Sequence, residues 1–201
     1  MIKETFTRLS EDKKENILFK SHQVFAELGF DGVTVRDIVK ASGIPRGSFY
    51  QYFDSTIDVF NACLNDISQK KLAFMQPYMS DIGNKPFLTV YKILIEKGID
   101  FAMAHPVQSK SALILYNTAN PELLKIKYGF EEQGVTLLKG LIEKDQASGF
   151  MSSFVDATML AKMLYHFNAF DLIEKFKKGH TKSELIEYAD SLLNIIENGI
   201  N

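Results

Sequence analysis

Residues 34–53, TVRDIVKASGIPRGSFYQYF, confine this part of the chain to two short helices joined by a glycine turn. Thr34 followed by Asp37 is a capping box, in which a hydroxyl and a carboxylate satisfy the orphan amides of a helix start. Val35, Ile38 and Val39 then place one apolar face at helical spacing. Gly43 stands where a left-handed residue would end that helix, a conformation that glycine adopts without steric cost. Pro45 suits the first position of the next helix. In that second helix Phe49 and Phe53 lie four apart and are expected to face inward. Arg46, Ser48, Tyr50, Gln51 and Tyr52 are left for the outside. Arginine, hydroxyls, an amide and aromatics on one exposed face suit a recognition helix in a major groove.

Helix signals continue to the end of the chain. Ser10, Glu11 and Asp12 start a helix that runs to Leu28 and stops at Gly29, with Ile17, Ser21, Val24, Phe25 and Leu28 as its buried stripe. Ser55 with Asp58 opens a long helix from Thr56 to about Met75. Asn84 and Pro86 begin one that ends near Ala104, and a shorter one follows over Val107–Tyr116. Asn120-Pro121-Glu122 starts a segment reaching Ala147. As one helix its residues would span roughly 40 Å, but Gly129, Gly134 and Gly140 lie inside it. They either permit close helix contacts or mark a break. The last two helices are expected at Ser153–Lys178 and Thr181–Asn198, split by Gly179. No strand alternation is sustained anywhere, so the chain reads as all-α. Its 201 residues accommodate two domains, expected at 1–55 and 56–201.

Charge and composition narrow the function. Residues 1–55 carry eight Lys and Arg against eight Asp and Glu, a net of zero. Within 36–53, however, Arg36, Lys40 and Arg46 face only Asp37, and Lys3 and Arg8 in the N-terminal arm extend the patch. That pattern fits directed contact with DNA at a small site and argues against a general nucleic-acid binder. No long apolar run and no signal-peptide pattern occur, which predicts a cytoplasmic chain without membrane contact. Cys63, beside Val59 and Phe60, is expected in the core. Catalytic chemistry has little to build on. His22, His105, His166 and His180 lie far apart, and no zinc spacing, phosphate loop or nucleophile elbow occurs. The expectation is no enzyme activity, no metal and no cofactor.

The first third of the chain resembles the TetR family of bacterial transcriptional regulators. The likeness runs from ILFKSHQVFAELGF, beginning at Ile17, through Gly32-Val33-Thr34 and GIPRGSFYQYF to DSTIDVF at 54–60. It implies an N-terminal three-helix helix-turn-helix domain and a C-terminal helical domain for ligand binding and dimerisation. By the same resemblance, Thr34 matches a position that touches phosphate. Arg46 and Gly47 match the usual lysine-glycine at the start of the recognition helix, and Tyr50 a backbone-bonding tyrosine. Gln51 and Tyr52 match variable positions that face bases or phosphates. Together with Arg36 and Ser48 these form the expected DNA contacts. One departure stands out: Thr56 occupies the place of a phosphate-binding lysine.

Two further surfaces follow. Leu185, Ala189, Leu192 and Ile196 in the last helix, with Leu160 and Leu164 in the one before, form apolar stripes wide enough for an isologous homodimer interface. Such a dimer would present two recognition helices to a near-palindromic double-stranded DNA operator with half-sites about 34–36 Å apart or a little more. Met79, Phe101, Met103, Tyr116, Asn117, Tyr128, Met163, His166 and Phe167 are the expected lining of a pocket for a small apolar or aromatic effector. The function expected is a ligand-responsive repressor released from its operator by that effector. The alternatives are a DNA-binding adaptor of the same fold that answers to a protein partner, or an all-α enzyme or carrier with a vestigial helix-turn-helix.

Overall fold

The computed structural model describes residues 2–79 and 84–199, and every regular element among them is helical. Two compact units emerge: Met1–Phe74 with Ala102–Ile114, and Met75–Phe101 with Leu115–Asn201. The boundary expected between residues 55 and 56 falls inside the first unit. The helix opening at Thr56 contributes Val59, Phe60, Cys63 and Leu64 to the buried core there.

The first unit contains α1 (Glu4–Thr7), α2 (Glu11–Leu28), α3 (Val35–Ser42), α4 (Arg46–Tyr52), most of α5 (Thr56–Met79) and α7 (Pro106–Ala112). Helix α2 packs on α3 and α7, and α4 packs on α1 and α3. Aromatic rings hold the centre: Phe25 and Phe60 are 4.9 Å apart edge to face, and Phe30 meets Phe60 at 5.4 Å. Of the expected α2 stripe, Ile17, Ser21, Val24 and Phe25 are buried, whereas Leu28 is exposed in the last turn before Gly29. Cys63 is fully buried, and burial pushes its thiol well up, so it is core and not a reactive thiolate. His22 is fully buried as well. Its Nδ1 hydrogen-bonds with Ser111 Oγ at 2.6 Å, which pins α7 to α2, and its Nε2 lies 3.5 Å from Asp66. Burial of Asp66 would raise its pKa, but hydrogen bonds from His22 and Lys70 outweigh that and hold it low.

The second unit is built from most of α6 (Phe87–Ala104), α8 (Pro121–Ala147), α9 (Ala157–His166), a π-helical turn (Phe167–Leu172), α10 (Ile173–Lys177) and α11 (Lys182–Asn198). One core joins Phe87, Tyr91, Ile95 and Ile99 of α6 to Leu138 and Ile142 of α8, Leu160, Ala161 and Leu164 of α9, and Leu185, Ala189 and Leu193 of α11. Tyr91 is fully buried and its hydroxyl donates to the Leu164 carbonyl at 2.9 Å.

Several boundaries move for local reasons. Helix α5 continues to Met79 with Pro77 inside it. The helix expected over Val107–Tyr116 is α7 followed by a 3-10 turn, Leu113–Asn117. The helix expected from Ser153 starts at Ala157, because the Asp156 carboxylate accepts from the amides of Thr158 and Met159, each at 2.9 Å. It is then interrupted by the π turn. Helix α8 is continuous, capped by Asn120, which accepts from Glu122 N at 3.0 Å.

The glycines inside α8 differ. A Cβ on Gly134 would lie 2.5 Å from Tyr165 Cε2, while Gly140 has open space. Gly140→Ala is therefore expected to raise stability by up to about 1 kcal/mol through helix propensity. Gly134→Ala is expected to lower it, since overpacking costs about 1–3 kcal/mol and outweighs that gain. Urea-unfolding midpoints of the two variants check this. A Gly134→Ala midpoint above wild type would contradict the packing.

Candidate nucleic-acid interface

Helices α3 and α4 are set by local chemistry before any long-range packing. The Thr34–Asp37 capping box is present: the Thr34 hydroxyl donates to Asp37 Oδ2 at 2.5 Å, the Thr34 amide at 3.0 Å, and Asp37 N returns to Thr34 Oγ1. These hydrogen bonds hold the Asp37 carboxyl below its ordinary value. They also commit both Thr34 donors, so the donors left at this corner are the amides of Val35 and Arg36. Gly43 ends the helix at φ 70°, the left-handed region. Pro45 lies just outside α4 as its extended N-cap, one position earlier than expected, and its carbonyl accepts from Phe49 N at 3.1 Å.

Phe49 and Phe53 are fully buried, as the spacing predicts. Arg36, Arg46, Gly47, Tyr50 and Gln51 are exposed and Ser48 is half-buried. Tyr52 is a correction. It is 6 % exposed, with its ring edge-on to Phe6 at 6.0 Å, and belongs to the scaffold. The cause is α1, which offers Phe6 as an apolar cover for Tyr52 and Phe53, the latter at 4.8 Å.

The same arm completes the end of α4. The last carbonyls of a helix have no partner within it. Here the Tyr50 carbonyl accepts from Lys3 Nζ at 2.8 Å, the Tyr52 carbonyl from Lys3 N at 3.0 Å, and the Gln51 carbonyl from the Thr5 hydroxyl. Lys3 also pairs with Asp54 at 2.5 Å, and Arg8 pairs with Glu4. The two arm cations expected to extend the basic patch are thus engaged. Among the described residues Arg36, Lys40 and Arg46 make no ion pair and keep their charge for a partner. Thr56 stands half-buried at the first position of α5, behind the Ser55–Asp58 cap.

Residues 17–63, which span α2 to the first turns of α5, match the profile of bacterial regulatory proteins, tetR family. Over this helix-turn-helix segment the chain is similar to that family. It is 25% identical over 158 residues to the HTH-type transcriptional regulator YerO of Bacillus subtilis (strain 168), covering 77% of this chain and 54% of that protein. The chain spans about half the length of the curated relatives it matches. Its fold is that of the transcriptional regulator FadR from Bacillus subtilis, crystallised with stearoyl-CoA. That similarity has TM-score 0.76 and 18% identity, and covers 93% of this chain and 99% of FadR. A TetR family transcriptional regulator from Chloroflexus aurantiacus J-10-FL gives TM-score 0.63 at 25% identity, over 98% of this chain and 91% of that one.

The second unit departs from expectation. Leu160, Leu164, Leu185 and Ala189, expected at a dimer interface, are buried within one subunit, and Leu192 and Ile196 are half-buried against the same core. Helices α6 and α8 cover the stripes that look too wide for a monomer. The apolar side chains that α9, the π turn and α11 do expose are Met159, Met163, Phe170 and Ile195.

The expected pocket residues do not converge. Tyr116 and Asn117 line an open recess of about 280 Å³ together with Ala169, Phe170, Ile173, Glu174 and Lys177. Met103 is exposed and falls in the first unit, Tyr128 and Met163 are exposed, and Phe101 is buried. Met79 is half-buried. Phe167 stacks on Tyr188 at 5.3 Å, and His166 stacks on Phe170 with its Nε2 3.4 Å from Glu131. None of these seven lines the recess. Glu174 and Lys177 carry no sequence signal beyond that of a solvated helix face. The π turn adds a residue to the helical repeat and so breaks the phase by which they could be assigned.

No helix among the described residues is long and apolar enough to cross a membrane, and no cluster of potential metal ligands occurs among them.

Proposed function

We propose that this chain is a ligand-responsive DNA-binding transcriptional regulator, acting as a repressor at a near-palindromic operator. The observation that carries the reading is α4. Its inner face and C-terminal carbonyls are fixed by Phe6, Phe53 and the arm, while Gly47 and the side chains of Arg46, Tyr50 and Gln51 remain exposed. A seven-residue helix so rigidly held, with its polar side chains outward, suits insertion into a major groove. Arg46 and Gln51 would read base edges, Tyr50 would bond to the backbone, and Arg36, Lys40 and the first amides of α3 would meet phosphate.

The active form is a homodimer. Met159 and Met163, exposed one helical turn apart on α9, and Ile195 on α11 supply its apolar contacts. The effector binds the second unit. FadR, whose fold this chain shares, was crystallised with stearoyl-CoA, which supports a small molecule with an apolar part. Effector binding favours a conformation that mismatches the operator and so shifts the population off DNA.

A mobility-shift assay with DNA from upstream of the chain's own gene tests the reading. A retarded band at low salt is expected. Absence of the band, or a band indifferent to Arg46→Ala, would sink it and favour a carrier with an unused helix-turn-helix.

A further inference from the structure

The recess at Tyr116 and Asn117 has an imbalance of hydrogen-bonding groups that bears on what can fill it. Its side-chain acceptors each have a partner. The Asn117 amide, oriented to satisfy both its ends, donates to the Tyr116 carbonyl at 3.2 Å and accepts from Lys177 Nζ at 2.9 Å. Glu174, the only acid in the wall, pairs with Lys178 at 2.6 Å, and its charge also acts on Lys177 without forming an ion pair with it. The Tyr116 hydroxyl is hydrogen-bonded with Tyr165. Donors are in surplus. An ammonium carries three, and Lys177 spends one of them on a neutral amide. Lys127 adds a second cation at the rim, its Nζ 5.2 Å from the centroid of the Phe170 ring. Neither lysine makes an ion pair among the described residues. The rest of the lining is apolar, from Ala169, Phe170 and Ile173.

We infer that this recess binds an amphipathic organic anion: a carboxylate-type head on Lys177, with Lys127 close by, and a short apolar body against Phe170 and Ile173. The inference rests on the proposal that the second unit binds an effector, and it changes the class of that effector from apolar to anionic. A volume of about 280 Å³ sits at the small end of ligand pockets, roughly 300–1,000 Å³, so the body is short. The 3-10 turn and the π turn that frame the site are both departures from α geometry, and π turns recur where helices carry function.

Three probes with one chain length and different charge test it: octanoate, octanol and octylamine, titrated calorimetrically into the full chain. Octanoate is expected to bind best, and Lys177→Gln to weaken it roughly tenfold to a hundredfold, the range of a lost charge-assisted hydrogen bond. Lys177→Arg should restore most of the affinity. Unchanged melting of Lys177→Gln separates lost recognition from lost folding. Equal binding of all three probes, binding of none, or octanoate bound equally by Lys177→Gln would overturn the anion site. A parallel mobility shift separates this from the regulator proposal. Octanol releasing DNA from wild type and Lys177→Gln alike would leave a sensor standing without an anion site. Octanoate bound through Lys177 with the DNA complex unaffected would leave the site standing and remove its regulatory role.

Discussion

Phe53→Ala is expected to destabilise the DNA-binding head by about 3–5 kcal/mol. Phe53 is fully buried and its ring meets Phe6 at 4.8 Å, Phe49 at 5.7 Å and Tyr52 at 6.4 Å. Truncation removes contacts to two elements together, since Phe6 lies on α1 and Phe49 and Tyr52 on α4. Against a typical stability of about 5–15 kcal/mol this is a large share. Denaturant titration followed by circular dichroism would show an early transition of the head, and operator binding would vanish with it. Tyr50→Phe, on the same helix but exposed, is the matched control. It should leave the transition within about 0.5 kcal/mol of wild type and weaken binding to every DNA sequence alike. A Phe53→Ala protein that melts like wild type would mean that the aromatic cluster does not hold α4.

Gln51→Ala and Arg46→Ala should produce the largest effects on recognition. A base contact carries about 1–3 kcal/mol of discrimination. In a two-fold dimer each substitution strikes both half-sites, so the expected loss per operator complex is about 2–6 kcal/mol when the sites add independently. Gln51→Ala should flatten preference at one base pair in each half-site while leaving binding to unrelated DNA unchanged. Arg46→Ala should do the same and, where the guanidinium also neutralises phosphate, lower the salt slope by about one unit per head. Sequence selection on randomised operators measures both. An unchanged Gln51→Ala profile would remove that residue from base reading and leave Arg46 as the principal reader.

What could be read without coordinates was what is decided locally. The capping box at Thr34–Asp37 forms as its spacing predicts, because both partners lie within one turn. Phe49 and Phe53 face inward because four-residue spacing leaves little choice. Tyr52 was not legible. Its side of the helix is decided by Phe6, forty-six positions away, in a four-residue helix with too few apolar residues for any periodic signal. The stripes on α9 and α11 are read correctly as apolar, yet their partner is the same subunit, because α6 and α8 both pack there. Lys177 joins Asn117 only through the π turn and α10, and no pattern of residue types announces that meeting.

The pairing of Lys3 with Asp54 and of Arg8 with Glu4 bears on how such a regulator would find its operator in a chromosome. With Arg36, Lys40 and Arg46 the three cations of α3 and α4, engagement of all three by both heads gives a logarithmic salt dependence of about −5. That is shallow for a DNA-binding dimer. The protein would spend little time lodged on the roughly 10⁶–10⁹ unrelated sites that compete for it. Target occupancy would then be set by the few base contacts of α4 and respond sharply to the number of copies per cell, since there is little genomic reservoir to buffer the free pool. Restoring the arm charges by Asp54→Asn and Glu4→Gln would reverse this, tightening the grip on bulk DNA while blurring the distinction between operator and background.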